Sequence, residues 1–281
     1  MSLLPPDFID SVVAIGDFVR ENNPWVGSGF LYGSLELEPE GGWGPEGKKV
    51  TLWLVTNRHV SEVLQDPIIR FDSTTNGNAV QINLDKIART PSWTSHPDPL
   101  IDVSVIQLLI DPLKSINAKL KFFEESTSAA TLAELKSLGV HEGNGGFILG
   151  FPLGLVEGPT GSVIARKTSI ARIRNAYENK SATILVDGSA FPGNSGGPAV
   201  IHPEPIVIQG TSPIEKAFLI GIVASYLPFQ DVAISQSTKR PRVIFEENSG
   251  LCNIFTVDCI HETIDYAKKN LASEKHTQIA N

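Results

Sequence analysis

The sequence predicts an all-β fold that ends in a helix. About a dozen short runs of apolar and β-branched residues recur along the chain, and Gly, Pro, Asn and Asp residues separate them. Examples are VTLWLVT, GFILGF and FLIGIVAS. Such runs are typical of strands in a sandwich or a barrel pair, whereas βαβ units would need a helical segment between successive strands. The sequence therefore favours a β-sandwich or a pair of barrels.

Helical periodicity is confined to a few segments. Thr131–Leu138 predicts a short helix. Cys259–Leu271 carries apolar residues three or four positions apart and lysines in its later turns, so it predicts a terminal helix over about residues 259–271. Asp7–Val19 fits either a helix or a strand, and Phe229–Pro241 is expected to be an exposed insert.

Length and composition are consistent with one large domain. The chain has 281 residues, of which 41% are hydrophobic, and this is enough for a substantial buried core. We expect one domain over residues 1–274, with a boundary between its halves at Lys114–Glu142 and a tail over residues 275–281. The net charge of −8 argues against a nucleic-acid surface, which needs clustered Lys and Arg.

Membrane insertion and secretion are not expected either. No run of apolar residues approaches the roughly 18 that a membrane-spanning helix needs. The N-terminus lacks the basic segment of a secretory signal. Cys252 and Cys259 lie seven positions apart in one apolar run, too far apart on a strand to form a disulfide. Two free thiols and no signal predict a cytoplasmic protein.

The segment FPGNSGGPAV around Ser195 is the first candidate for chemistry. A serine hydroxyl is a weak nucleophile that needs a base and a site for the developing oxyanion, and flanking glycines let the backbone approach a substrate. A plain Gly/Ser-rich turn is the alternative. The pattern G-x-S-x-G also matches a nucleophile elbow, but that elbow needs a helix after the serine, and Gly196, Gly197 and Pro198 follow here.

A histidine and an aspartate complete a possible constellation. His59 follows the apolar run TLWLVT, and a histidine is suited to accept a serine proton near neutral pH. Asp102 is expected inside an otherwise apolar strand formed by PLIDVSVIQLL, and a buried carboxylate requires a partner such as a histidine N–H. A structural histidine and a solvent-facing aspartate are the alternatives. Asp98 is a rival acid in the loop SHPDP.

Five blocks in the same order resemble the trypsin-like protease superfamily, and most closely its bacterial Deg/high-temperature-requirement branch. The blocks are Gly27–Phe30, VTNRHV, LIDVSVIQL, ILGFPLG and GNSGGPAV. The resemblance covers about residues 10–260 and implies a chymotrypsin-like fold of two six-stranded antiparallel β-barrels with a C-terminal helix. It implies that barrel 1 spans about residues 10–120 and barrel 2 about residues 143–258.

The resemblance also implies a function and the residues that perform it. It implies a serine endopeptidase that hydrolyses protein or peptide substrates through an acyl-enzyme. His59 would be the general base and acid, Asp102 the orienting carboxylate and Ser195 the nucleophile. The backbone N–H groups of Gly193 and Ser195 would form the oxyanion hole.

Positions that line the specificity pocket in the family also map onto this chain. The candidate substrate-binding residues are Ser189, Ala190, Ala224, Ser225 and Tyr226. None of them is acidic, although Asp187 is close in sequence, so the residue before the cleaved bond is expected to be apolar, small to medium in size or aromatic.

The chain departs from the family in two respects. Asn194 stands where zymogen-type members carry an aspartate, so activation by cleavage is not expected. The stretch after Ser195 is too short for a second barrel and a complete PDZ domain as well. An activating or scaffold protein remains a candidate partner. The six histidines lack metal-ligand spacing, and no cofactor is expected.

Two other functions stay open. The chain could be a catalytically silent, protease-fold module that binds peptides or proteins, although such a module needs neither His59 nor Ser195. It could also be an esterase-type hydrolase that uses the same triad on non-peptide substrates.

Overall fold

A computed structural model describes residues 3–20, 23–37, 48–75, 78–156, 162–206 and 208–279. The described strands are β1 Val12–Asp17, β2 Trp25–Leu37, β3 Lys48–Thr56, β4 Pro67–Phe71, β5 Val80–Asn83, β6 Thr94–Ser95, β7 Ser104–Gln107, β8 Phe123–Glu124, β9 Gly145–Gly150, β10 Ile164–Arg172, β11 Thr183–Asp187, β12 Pro198–Ile201, β13 Phe218–Ile234 and β14 Pro241–Thr256. The described helices are α1 Pro6–Asp10, α2 Arg58–Ser61, α3 Ile110–Ser115, α4 Leu132–Ser137, α5 Arg174–Tyr177 and α6 Val257–Ile279.

The first half of the chain forms one eight-stranded sheet. Its hydrogen-bonded order is β5-β4-β1-β2-β3-β7-β6, and β8 pairs with β2 in parallel. Six antiparallel strands were expected here. The two-residue strands β6 and β8 account for the difference, because each contributes only two paired positions to the sheet. Such short strands carry too few side chains to give a periodic pattern in the sequence.

Successive side chains along these strands point alternately into two different hydrophobic cores. Leu31, Leu52 and Leu54 pack into a core that the first sheet encloses. Phe30 and Trp53, one position away along the same strands, face the other way into a core shared with the second half. A period of two places successive side chains on opposite faces of a strand, so the first sheet is buried on both sides.

The second half forms the closed six-stranded barrel that was expected, in the order β10-β11-β14-β13-β12-β9. Its neighbouring strands pair antiparallel all the way round. Its interior is filled by apolar residues of separate strands, including Ile148, Ile170, Ile184 and Ile254. The all-β architecture predicted from the sequence is confirmed.

Two strands of this barrel extend well beyond it. The pairing of β13 with β14 continues from Pro228↔Asn248 to Ile234↔Pro241, where β13 and β14 bond only to each other. The segment Phe229–Pro241, expected as an exposed insert, is therefore exposed but lies mostly in a two-stranded ribbon. Its backbone donors and acceptors pair across the ribbon, which explains why the segment is not an irregular loop.

The helices lie close to their predicted positions. Helix α4 falls within Thr131–Leu138, and a capping box at Thr131 and Glu134 begins it. The ambiguous segment Asp7–Val19 contains both α1 and β1. Helix α6 spans Val257–Ile279, longer at both ends than the 259–271 expected, and its apolar face packs into the core between the two halves.

Cys252 and Cys259 are both free and buried. Burial raises the pKa of the Cys252 thiol to about 12 and also raises that of Cys259, which keeps both protonated near neutral pH. In the part of the chain that the structure describes, no helix combines the length and apolar character needed to cross a bilayer.

Glu142 ties the start of the second barrel to α5. Its carboxylate accepts hydrogen bonds from the backbone N–H groups of Ile173 and Arg174, at 3.1 and 3.2 Å, and from Arg174 Nε at 3.0 Å. Burial raises the pKa of Glu142, but these hydrogen bonds outweigh burial and lower the pKa to about 2.

We predict that Glu142→Gln destabilises the protein by about 1–3 kcal/mol at neutral pH, because the charge-assisted hydrogen bonds are lost. A depressed carboxyl pKa adds stability above its unfolded value of 4.5, and that contribution disappears as the pH falls towards about 2. Urea denaturation of both proteins at pH 7 and pH 3 measures this. A difference that grows on acidification would contradict it.

Candidate active site

His59 lies in the short helix α2, which begins two residues after β3 ends. Asn57 immediately precedes α2 and is fully buried, and its Nδ2 donates a hydrogen bond of 2.7 Å to the Asp102 carbonyl oxygen. The strand and this hydrogen bond together fix the backbone from which His59 projects towards Asp102.

Asp102 makes two hydrogen bonds to His59. Its Oδ2 lies 2.6 Å from His59 Nδ1, and its Oδ1 accepts a bond of 3.0 Å from the His59 backbone N–H. An ionised carboxylate only accepts, so Nδ1 carries the proton and Nε2 keeps a free lone pair. Asp102 was expected inside an apolar strand. It lies instead in the loop just before β7, where its side chain is 27% exposed.

Asp98, the rival acid, does not reach His59. Its Oδ1 accepts a hydrogen bond from the Leu100 backbone N–H two residues later. Asp98 thus shapes its own loop, which leaves Asp102 as the acid paired with the histidine.

Sequence reasoning missed the residue that holds this loop. The Arg58 guanidinium donates to the carbonyl oxygens of His96, Asp98 and Pro99, the last at 3.1 Å. Five fixed N–H donors suit an arginine to several carbonyls at once. The sequence signal was the arginine next to the candidate histidine, but its targets lie about 40 positions away and are brought close only by folding.

The C-terminal helix braces the same loop. His96 is buried, and its Nδ1 accepts a hydrogen bond from the Asp98 backbone N–H. Its Nε2 therefore donates to Glu262 Oε2 of α6, at 2.9 Å. No pattern near Glu262 in the sequence indicates this contact.

Ser195 lies in a tight loop whose backbone requires glycine. Gly193 has φ +95° and Gly196 has φ +83°, in the region that favours glycine. A Cβ atom at Gly193 would collide with the Phe151 carbonyl oxygen. Asn194 is fully buried, and its Oδ1 accepts a hydrogen bond of 3.0 Å from the Phe191 N–H, which closes the turn.

Ser195 and His59 line the same cleft, which has a volume of about 450 Å³. The Ser195 hydroxyl is 3.4 Å from the Ala224 carbonyl oxygen, a long and weak contact. Among the hydrogen bonds of the described residues there is none between His59 and Ser195. The structure therefore brings the two side chains into one cleft without joining them.

The peptide between Pro192 and Gly193 has a defined orientation. The Pro192 carbonyl oxygen accepts a hydrogen bond from the Leu153 N–H in the turn Pro152–Gly154. Because a trans peptide is planar, the Gly193 N–H points away from that turn. Neither the Gly193 N–H nor the Ser195 N–H donates to another described residue, so the two candidate oxyanion donors are unoccupied.

Ser28 of β2 contacts this loop from the first sheet. Its side chain is fully buried, and its Oγ donates a 2.6 Å hydrogen bond to the Gly193 carbonyl oxygen while accepting a 2.9 Å bond from the Phe151 N–H. Its backbone N–H donates to the Ser195 carbonyl oxygen at 2.9 Å. The sequence placed Ser28 in a recognisable block but assigned it no role.

Four of the five expected pocket residues line the cleft: Ala190, Ala224, Ser225 and Tyr226. Ser189 is half-buried and is not among the described residues that line it. The backbone explains this correction. Ser189 lies two residues after the exposed end of β11, and the first residue of this segment that is buried and lines the cleft is Ala190.

The charge around the cleft is low. Asp102 is the one carboxylate among the described residues that line it, and Asp187 lies outside it. The Tyr226 hydroxyl donates to Glu246 Oε1 at 2.9 Å, and this hydrogen bond raises the pKa of Tyr226. Across the described ranges, no three histidine, cysteine, aspartate or glutamate side chains are grouped as metal ligands would be.

Comparisons with known proteins give one family match and two similar solved structures. A family model described as trypsin-like peptidase domain matches residues 27–202. The MamO protease domain from Magnetospirillum magneticum (apo form) is 15% identical with a TM-score of 0.41, covering 88% of this chain and 95% of that one. The Rv3671c protease (inactive form) is 15% identical with a TM-score of 0.44, covering 93% and 92%. A search of curated proteins found no match.

Proposed function

The chain belongs to the trypsin-like peptidase domain family, and from this premise we propose that it is a serine endopeptidase acting on protein substrates. One observation carries the proposal. Asp102 binds both the backbone and the ring of His59, and the opposite ring nitrogen is left free in a cleft that also contains Ser195. This division of roles is what a histidine base activating a serine requires.

In the proposed reaction, His59 Nε2 accepts the proton of Ser195 Oγ as that oxygen attacks the carbonyl carbon of the substrate. The N–H groups of Gly193 and Ser195 donate to the oxyanion that forms. His59 then protonates the leaving amine, and an ester on Ser195 remains. Water attacks that ester while His59 accepts its proton. The bond between the acyl carbon and Ser195 Oγ then breaks, His59 returns the proton to Oγ, and the carboxylic acid product leaves.

Asp102 stabilises the imidazolium that forms when His59 takes the proton. It accepts a proton in neither step of the proposed reaction. Its second hydrogen bond, to the His59 backbone, restrains the helix that carries the ring. Asp102 thus sets both the tautomer and the position of His59.

Before the first step, the Ser195 side chain must turn towards His59. Its hydroxyl is directed at the Ala224 carbonyl oxygen, and hydrogen bonds in an unliganded site often tighten only when substrate binds. The same observation favours the second candidate, a catalytically silent module that binds peptides, because such a module would have no need of the His59–Ser195 hydrogen bond.

Ser28 has a positioning role under this proposal. The Gly193 carbonyl and the Ser195 carbonyl flank the loop that carries the two oxyanion donors, and Ser28 binds both of them. Donors that are held in place stabilise the transition state more than the bound substrate, because negative charge develops on the carbonyl oxygen there. Ser28 itself touches neither substrate nor the reacting atoms.

We predict that a fluorophosphonate probe labels the wild-type protein and that Ser195→Ala and His59→Ala abolish labelling. Asp102→Asn should lower the labelling rate by about 10³–10⁴-fold, because the wrong tautomer of His59 is then favoured. Asp98→Asn is the matched control and should label at the wild-type rate, since the Asp98 carboxylate bonds to the Leu100 N–H of its own loop and the substitution leaves the Asp98 backbone in place.

The peptidase and the peptide-binding module are expected to give different results in this assay. Labelling of the wild type that depends on His59 and Ser195 supports the peptidase. If the wild type is not labelled but binds peptides, and Ser195→Ala does not change that binding, the result would favour the binding module over the peptidase.

We predict that Ser28→Ala lowers kcat for peptide hydrolysis by about 10–100-fold with little change in KM, because a loosened loop costs part of the oxyanion stabilisation. Ser11→Ala is the matched control: Ser11 is also fully buried and also donates to a backbone carbonyl oxygen, that of Phe8. Unfolding of both variants shows whether they lose similar stability. Equal losses of kcat in both would make Ser28 merely structural.

We predict a preference for small or medium apolar residues on the acyl side of the cleaved bond, because Ala190 and Ala224 supply no charge and Tyr226 narrows the cleft. Mass spectrometry of a digested peptide library reads the preference directly. Enlarging the cleft by Tyr226→Ala should extend cleavage to larger residues. Dominant cleavage after Lys or Arg by the wild type would refute the prediction.

A further inference from the structure

The ribbon formed by residues 228–248 is exposed along its whole length. All its residues are exposed except the half-buried Ala233, Ser235 and Asn248. It stands free of the barrel because β11 and β12 pair only with the parts of β14 and β13 that lie inside the barrel. A two-stranded hairpin without a packed face is marginally stable in water, so we expect another protein surface to pack against the ribbon.

The ribbon carries large apolar side chains on both faces. Directly opposed residues of an antiparallel pair share a face, so Phe229, Asp231, Val243, Phe245 and Glu247 lie on one side. We call this the phenylalanine face. Phe229 is 58% exposed and Phe245 is 54% exposed. Together with Val243, which is 47% exposed, they form an apolar patch of the kind that marks interaction sites.

Charge is segregated along the ribbon. Lys239 and Arg240 lie in the turn at its tip, whereas Asp231 and Glu247 lie nearer its base. Neither cation of the tip forms an ion pair within the described residues. The acids on the phenylalanine face are likewise without a cationic partner there.

We propose that the phenylalanine face is a dimerisation surface and that its occupant is the same face of a second copy of this chain. A two-fold axis that lies between the two faces, at right angles to the long axis of the ribbon, sets the faces against each other and turns one copy end to end relative to the other. Each basic tip then lies over the partner's acidic base, while the phenylalanine faces pack against each other. The charge pattern is self-complementary in this antiparallel arrangement and repulsive in the parallel one.

The arrangement also fits the overall charge. Two chains that each carry a net charge of −8 repel one another over most of their surfaces. The basic tip offers a local attraction that offsets this, and it reaches outward from the body where it can meet another copy. A ribbon face is small for a stable interface, so the dimer should be weak and concentration-dependent.

The first test is sedimentation of the full chain over about 1–200 µM, the range in which a weak interface of this size dissociates. We expect the weight-average mass to rise towards twice the monomer mass. Phe245→Ser should keep the chain monomeric throughout. Ile244→Ser is the matched control, because Ile244 is 59% exposed on the opposite face and should leave association unchanged.

The second test uses charge reversal. A tip variant, Lys239→Glu with Arg240→Glu, and a base variant, Asp231→Lys with Glu247→Lys, should each be monomeric alone. Mixed in equal amounts they should associate at least as strongly as wild type, because each tip then meets a base of opposite sign. Circular dichroism verifies that both variants are folded, and all four positions are on the exposed ribbon.

Three outcomes overturn the proposal. One is a wild type that stays monomeric at every concentration, which would mean that any partner of the ribbon is a different protein. Another is association that survives Phe245→Ser, which would assign it to another surface. The last is a pair of charge variants that fail to recover association when mixed, which would exclude the antiparallel arrangement. None of these results depends on whether the cleft is catalytic.

Discussion

The candidate site depends on the contact that Ser28 makes across the seam between the two halves of the molecule. Each half has its own hydrophobic core, and a third core joins them. His59 and Asp102 belong to the first half, whereas Ser195 belongs to the second. Their relative positions are therefore set by the interface, where Ser28 holds the carbonyl oxygens of Gly193 and Ser195 from the opposite side.

Around that contact, the two sides of the site are held in different ways. The side that carries Asp102 is braced by charge-assisted hydrogen bonds, from Arg58 to three carbonyl oxygens and from His96 to Glu262. The side that carries Ser195 is held by hydrogen bonds between neutral groups, including those of the Ser28 and Asn194 side chains, and by conformations that glycine favours. Charge-assisted hydrogen bonds thus hold the loop of the acid, whereas the Ser195 hydroxyl makes only the long contact to the Ala224 carbonyl oxygen.

The ribbon connects this site to the outside of the molecule. Ser225 and Tyr226 line the cleft, and the same strand continues outward into the phenylalanine face. Tyr226 also bonds to Glu246 on the neighbouring strand of the ribbon. The cleft wall and the ribbon thus belong to the same two strands, and the pairing register shifts between Tyr226 and Pro228, where the ribbon begins.

Local patterns in the sequence predicted the fold class correctly and singled out three candidate residues for the site. Alternating apolar runs and turn residues are local signals, and they indicated the strands, the short helix at Thr131–Leu138 and the terminal helix. Short ordered blocks singled out His59, Asp102 and Ser195, and the structure brings these three to one cleft. Local patterns carry such information because neighbouring residues alone decide propensity and alternation.

Only the tertiary structure decided the remaining features. It excluded Ser189 from the cleft, moved Asp102 from a strand into a loop, added short strands to the first sheet and turned an expected insert into a ribbon. It also assigned partners to Ser28 and Arg58. Each outcome depends on contacts between residues far apart in the chain, and no local pattern encodes which distant groups will meet.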